Sequence, residues 1–93
     1  MVINDDCANQ RSVITRLATD YRSLDATTTA TEHELAALQD RKGSPEALAS
    51  VQERLATERE QLGLLAVEGQ AAVDEFRAVC GGEQLPPLPW PAG

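Results

Sequence analysis

The stretch Arg41-Lys42-Gly43-Ser44-Pro45-Glu46, in the middle of the chain, reads as the end of one helix followed at once by the start of another. Cations at Arg41 and Lys42 suit the negative end of a helix dipole, and Gly43 can take the left-handed backbone that closes a last turn. Ser44 can accept an N–H of a new first turn, with Pro45 at the first helical position, where no amide hydrogen is needed. Only the turn at 43–44 is left between the two helices, and so short a connection makes them antiparallel neighbours.

Apolar spacing on either side of this turn extends the reading to almost the whole chain. Before it, Ile3, Cys7, Gln10, Ile14, Leu17, Tyr21, Leu24, Thr28, Thr31, Leu35 and Leu38 alternate steps of four and three; after it, Leu48, Val51, Leu55, Glu58, Leu62, Leu65, Gly69, Ala72, Phe76 and Val79 do the same. Two such seams predict an all-α fold, an antiparallel two-helix coiled-coil hairpin. The expected bounds are helix 1 over about 5–42 and helix 2 over about 45–80, in a hairpin domain 1–82 followed by a tail 83–93. Asn4 or Asp5 is placed to cap helix 1, and Gly81-Gly82 to end helix 2. A helix of 36 residues spans about 54 Å, so the expected object is a rod.

Folding about Gly43-Ser44 brings residues whose numbers add to about 87 level with each other. Cys7 and Cys80 meet that condition at the open end, within reach of a disulfide whose large loop would contribute on the order of 4 kcal/mol in the chain-entropy model. The competing reading is two buried, reduced thiols. Leu17 and Tyr21 fall opposite Gly69 and Leu65, so that the large ring meets a position without a side chain. Thr28 and Thr31 fall level with Glu58 and Leu55, which gives a polar layer of Thr28, Thr31 and Glu58 in mid-rod. The run Thr27-Thr28-Thr29-Ala30-Thr31 is also the weakest helical stretch. A capping box Thr31…Glu34 would turn the fold into three helices broken near 26–30.

The tail contains Leu85-Pro86-Pro87-Leu88-Pro89-Trp90-Pro91, whose prolines exclude a helix and hold the backbone extended. Docking of Leu85, Leu88 and Trp90 on the rod or a partner, disorder, and recognition as a Pro-x-x-Pro ligand are the three readings open to it.

Composition bounds the function. The chain of 93 residues carries fifteen acidic and eight basic side chains, a net charge of −7, with no basic stripe to follow a phosphate backbone; neither nucleic acid nor an anionic membrane is an expected partner. No run reaches membrane-spanning length and no classical signal precedes the hairpin, so a soluble protein is expected, cytoplasmic, leaderless in export or particle-associated. Seven Arg against one Lys fits a GC-rich bacterial or phage genome.

Chemistry has little to work with. His33, the single histidine, sits at an outward position away from both cysteines, and Glu58 is a lone acid on a solid rod. No catalytic residue, metal site or cofactor is expected. Between Leu62 and Val73 helix 2 is apolar nearly all round, and Leu64, Val67 and Ala71 form an outer stripe in addition to the seam. A helix apolar on two faces is normally covered on two faces. Leu64, Val67 and Ala71, with Leu88 and Trp90, are therefore the expected interface. The expected partner is protein: another copy in a homo-oligomer or larger particle, a single heterologous chain, or, for the stripe, the protein's own tail.

Overall fold

The computed structural model describes residues 3–81 and 84–91, with side chains from residue 6 onward. It is the expected hairpin: α1 runs Ile3–Asp40 and α2 Pro45–Cys80, packed along their length in a rod of 62 × 20 × 15 Å. The boundary between hairpin and tail expected at 82–83, and the second glycine of Gly81-Gly82, lie outside the described residues, as does the seam side chain of Ile3. Because α1 already includes Asn4 and Asp5, neither is its N-cap, a correction to the expected start at residue 5.

The turn keeps its expected place but not its expected mechanism. Ser44 caps α2 by accepting the Ala47 N–H at 3.2 Å, with Pro45 at the first helical position. On the other side α1 ends at Asp40 rather than residue 42, and the left-handed residue is Lys42 (φ 54°), not Gly43. Lys42 N–H donates to the Gln39 carbonyl at 3.2 Å and Gly43 N–H to the Leu38 carbonyl at 2.8 Å, the paired bonds of a Schellman ending. Glycine serves at 43 for space: a Cβ there would stand 3.1 Å from Leu38 Cδ2 and 3.3 Å from the Leu38 carbonyl oxygen.

The threonine run does not break α1, and the three-helix alternative is overturned. Thr27, Thr28 and Thr31 donate their hydroxyls to the carbonyls of Ser23, Leu24 and Thr27 at 3.2, 2.8 and 3.1 Å, each one turn back along the same helix. A hydroxyl bonded in this way satisfies itself without competing for a helix end, and Thr31 is not an N-cap.

The seam is buried largely where the spacing puts it. Cys7, Ile14, Leu17, Thr28 and Thr31 of α1, and Val51, Leu55, Glu58, Gly69 and Phe76 of α2, are all buried. Toward the open end α2 departs from the expected phase: Val79 is 58% exposed, while Val73 is fully buried and Cys80 faces α1. The inward series there is Gly69, Val73 and Phe76, all buried, followed by the half-buried Cys80. A helix of 3.6 residues per turn drifts against a 3.5-residue repeat, and here the drift is toward the side on which the tail lies.

Candidate functional site

Three features gather at the open half of the rod. The first is the disulfide: Cys7 and Cys80 are joined with their Cα atoms 5.9 Å apart, closing a loop of 73 residues in sequence separation. Cys7 belongs to the main apolar core with Ile14, Leu17, Ala18, Val73, Phe76 and Trp90. Arg11 adds its guanidinium carbon 5.8 Å from the Phe76 ring centroid, a cation over an aromatic face.

The second is the seat of the tail. After Gly81 (φ 65°), the described tail residues 84–91 carry neither helix nor strand and turn back along the hairpin, so that Trp90 is 4% exposed. Its ring lies over Gly69, where an added Cβ would fall 2.5, 2.6 and 2.8 Å from ring carbons. That explains a glycine inside a helix, where it costs about 1 kcal/mol relative to alanine. Tyr21 meets the same indole edge-on, with ring centroids 6.0 Å apart, so the partner of the Gly69 notch is Trp90 rather than Tyr21 alone. Trp90 Nε1 donates to Gln70 Oε1 at 3.3 Å, and Arg22 Nη2 donates to the Pro87 carbonyl at 2.9 Å. Leu85 and Leu88 pack partly buried against the core.

The third is the outer stripe of α2. Leu64 is 63% and Val67 70% exposed, and Ala71 is exposed beside them. The described tail, residues 84–91, borders this stripe without covering it: Pro91 forms one side of a shallow groove with Ala66, Val67, Gln70, Ala71 and Asp74. On the other side Leu64 shares a hollow with Leu24, Gln61, Leu65 and Glu68. Of the five residues expected at an interface, Trp90 and Leu88 are thus engaged within the chain, while Leu64, Val67 and Ala71 present themselves outward.

In mid-rod, Thr28, Thr31 and Glu58 are all buried. The hydroxyl protons of both threonines are committed to α1 carbonyls, so neither is donated to the Glu58 carboxylate, and Glu58 Oε1 is buried without a hydrogen-bond partner among the described residues. His33 is exposed on the outside of α1. No group of three or more His, Cys, Asp or Glu side chains among the described residues is arranged to hold a metal ion. Nor is any described helix long and apolar enough to cross a membrane.

Sequence reasoning missed Ala18 and Val73 as core residues, and Arg22 and Gln70 as the tail's polar partners. Ala18 and Val73 carry no signal beyond ordinary helix composition. Gly69 does carry one, because an isolated glycine within a helical pattern points to a close approach by something else.

The chain matches no protein-family model, and neither a curated protein nor a solved structure is significantly similar to it.

Proposed function

We propose that this chain is a non-catalytic protein-interaction and assembly module, a disulfide-closed helical rod that docks on another protein through the outer face of α2. The observation that carries this reading is the exposure of Leu64 and Val67, at 63% and 70%, on a helix whose opposite face is already buried. The described part of the tail, residues 84–91, leaves Leu64 and Val67 exposed and places Trp90 on the Gly69 notch one helix edge away. Large aliphatic side chains left in a row beside a rigid edge such as Pro91 are what a partner's apolar residues can bury.

The rod suits this role mechanically. A hairpin tied at one end by a two-helix turn and at the other by a disulfide presents its face without reorganising, which lowers the entropic cost of association. The lack of a catalytic role is part of the proposal: His33 is exposed on the outside of α1 while the Glu58 carboxylate is buried, and an enzyme needs convergent groups around a substrate.

Photo-crosslinking tests it. A photoreactive phenylalanine analogue placed at position 67 should give a discrete adduct when the protein is expressed in its own cells, and the same analogue at the exposed Thr29 should not. An adduct of twice the chain's mass identifies self-assembly, and any other discrete mass a heterologous chain. Equal, diffuse labelling from both positions would remove the α2 face as a binding surface.

A further inference from the structure

Charge along α2 distinguishes between the partners this face could take. From residue 60 to residue 76 the helix carries Glu60, Glu68, Asp74 and Glu75 and not a single Lys or Arg; the bases nearest in sequence are Arg59 and Arg77. At 100° per residue, Leu64, Val67 and Ala71 make one stripe, in line with Glu60 and Asp74, which stand one at each end of it. Glu68 and Glu75 run along one long edge, and Gln70 along the other. Asp74 lines the same groove as Val67 and Ala71, and Glu68 the same hollow as Leu64. The two ion pairs between the helices on the described surface, Arg54 with Glu34 and Arg59 with Glu32, use none of these acids, and the second draws Arg59 toward α1. Asp74 accepts only a neutral bond, from Gln70 Nε2 at 3.0 Å.

We propose that the Leu64–Val67–Ala71 stripe, framed by Glu60, Glu68, Asp74 and Glu75, is the docking site of a heterologous amphipathic helix that carries Lys or Arg on both sides of its apolar anchors. This rests on the reading that the outer α2 face binds protein, and it names the partner's chemistry. Residues at i, i+3 and i+7 are the anchors by which one helix meets another. Three side chains alone fall short of the roughly 800 Å² per partner of a stable interface, so flanking charge must supply part of the recognition.

A second copy is the poorer occupant. An antiparallel two-fold centred on Val67 brings Glu60 of one copy level with Asp74 of the other, since each lies seven residues from Val67. A parallel pairing sets every carboxylate against its own counterpart. Either arrangement dehydrates like charges together, which opposes association. An anionic lipid surface or a nucleic acid meets the same repulsion.

The experiment uses the full, oxidised protein and two synthetic helical peptides with identical leucine anchors at i, i+3 and i+7, one flanked by Lys and Arg and the other by Glu. Binding is read by fluorescence anisotropy at low and at raised salt. The basic peptide is expected to bind at least about tenfold more tightly than the acidic one, with an affinity that falls as salt rises. Val67→Glu decides whether the stripe is used: it makes the protein more negative yet should weaken the basic peptide by about tenfold. If Val67→Glu leaves binding unchanged or strengthens it, the attraction is general electrostatics and the proposal is overturned. Equal binding of both peptides, lost in Val67→Glu, overturns the basic-partner assignment while leaving the protein-binding face intact. Binding of neither peptide overturns the proposal, and a Val67-dependent dimer in light scattering would then assign the face to a second copy. Val67 is 70% exposed, so circular dichroism of the variant should match the parent.

Discussion

The two ends of the rod are held by different physics. At the open end the core is three-sided: α1 contributes Cys7, Ile14, Leu17 and Ala18, α2 contributes Val73 and Phe76, and the tail contributes Trp90. The largest side chains with essentially no exposure, Phe76, Ile14 and Val73, are all in this half. Toward the turn only two helices meet. Val51 and Leu55 are buried there, but Leu35, Leu38 and Leu48 stay half-exposed, and the polar Thr28, Thr31 and Glu58 occupy buried positions. Two cylinders in contact shield only one narrow stripe of each, so in this half burial is confined to the middle of the seam, with Thr28, Thr31, Val51 and Leu55 at 4–6% exposure, and its edges stay open. The ion pairs that flank the turn half, Arg54 with Glu34 and Arg59 with Glu32, are about half exposed and compensate little, because such pairs contribute about 0–1 kcal/mol. The two-helix half is thus thinly packed, whereas at the open end one eight-residue segment, residues 84–91, adds a third side to a core that the disulfide also joins.

This contrast can be broken at several places. The largest effect is expected from the disulfide. Cys80→Ser should lower the unfolding free energy by about 4 kcal/mol in the chain-entropy account, with helix content largely kept. Hydrogen exchange should rise at residues 73–80 and much less at 45–55; equal loss at both ends would show that the halves unfold as one. Intact-mass measurement after alkylation without reductant should find both thiols protected.

Removing the third side of the core comes next. Trp90→Ala should cost about 3 kcal/mol, in the range of large-to-small changes at buried aromatic positions. Gly69→Ala reaches the same contact from the other side by placing a methyl within 2.8 Å or less of three ring carbons. A rigid indole cannot yield locally, so the tail should lift and Trp90 emission shift to the red. The overpacking penalty of about 1–3 kcal/mol should exceed the roughly 1 kcal/mol that alanine gains over glycine in a helix. An unshifted emission maximum would mean that the indole is not seated on Gly69.

At the thin end the expected changes are smaller and of opposite sign. Glu58→Leu should raise stability by about 1 kcal/mol, because it replaces a buried carboxylate oxygen that lacks a partner with apolar volume on the seam. Loss of stability instead would mean that the carboxylate is satisfied in solution by water or a neighbour. Lys42→Gly should add roughly 0.5–1 kcal/mol by relieving a side chain held at positive φ, measurable as a shift in urea midpoint without a change in slope.

What was legible in the sequence was what local chemistry and period decide. Arg41 to Glu46 marks a helix end and a helix start through groups that act within a turn of each other, and the alternation of threes and fours selects the faces of α1 and α2 wherever only the partner helix covers them. The level placement of Cys7 and Cys80 follows from the same geometry, since antiparallel helices joined by a short turn have no freedom to slide. The tertiary structure alone decided what depends on a third body. Trp90 selects Gly69 as its seat and Gln70 as its acceptor, and near the open end Val73 is fully buried while Val79 stays in solvent. The fold also leaves Leu64, Val67 and Ala71 open although α2 is apolar on that side. Helical periodicity specifies which residues share a face, but whether a face is covered depends on how an extended segment with no period of its own packs against both helices at once, and that is a property of the assembled surface.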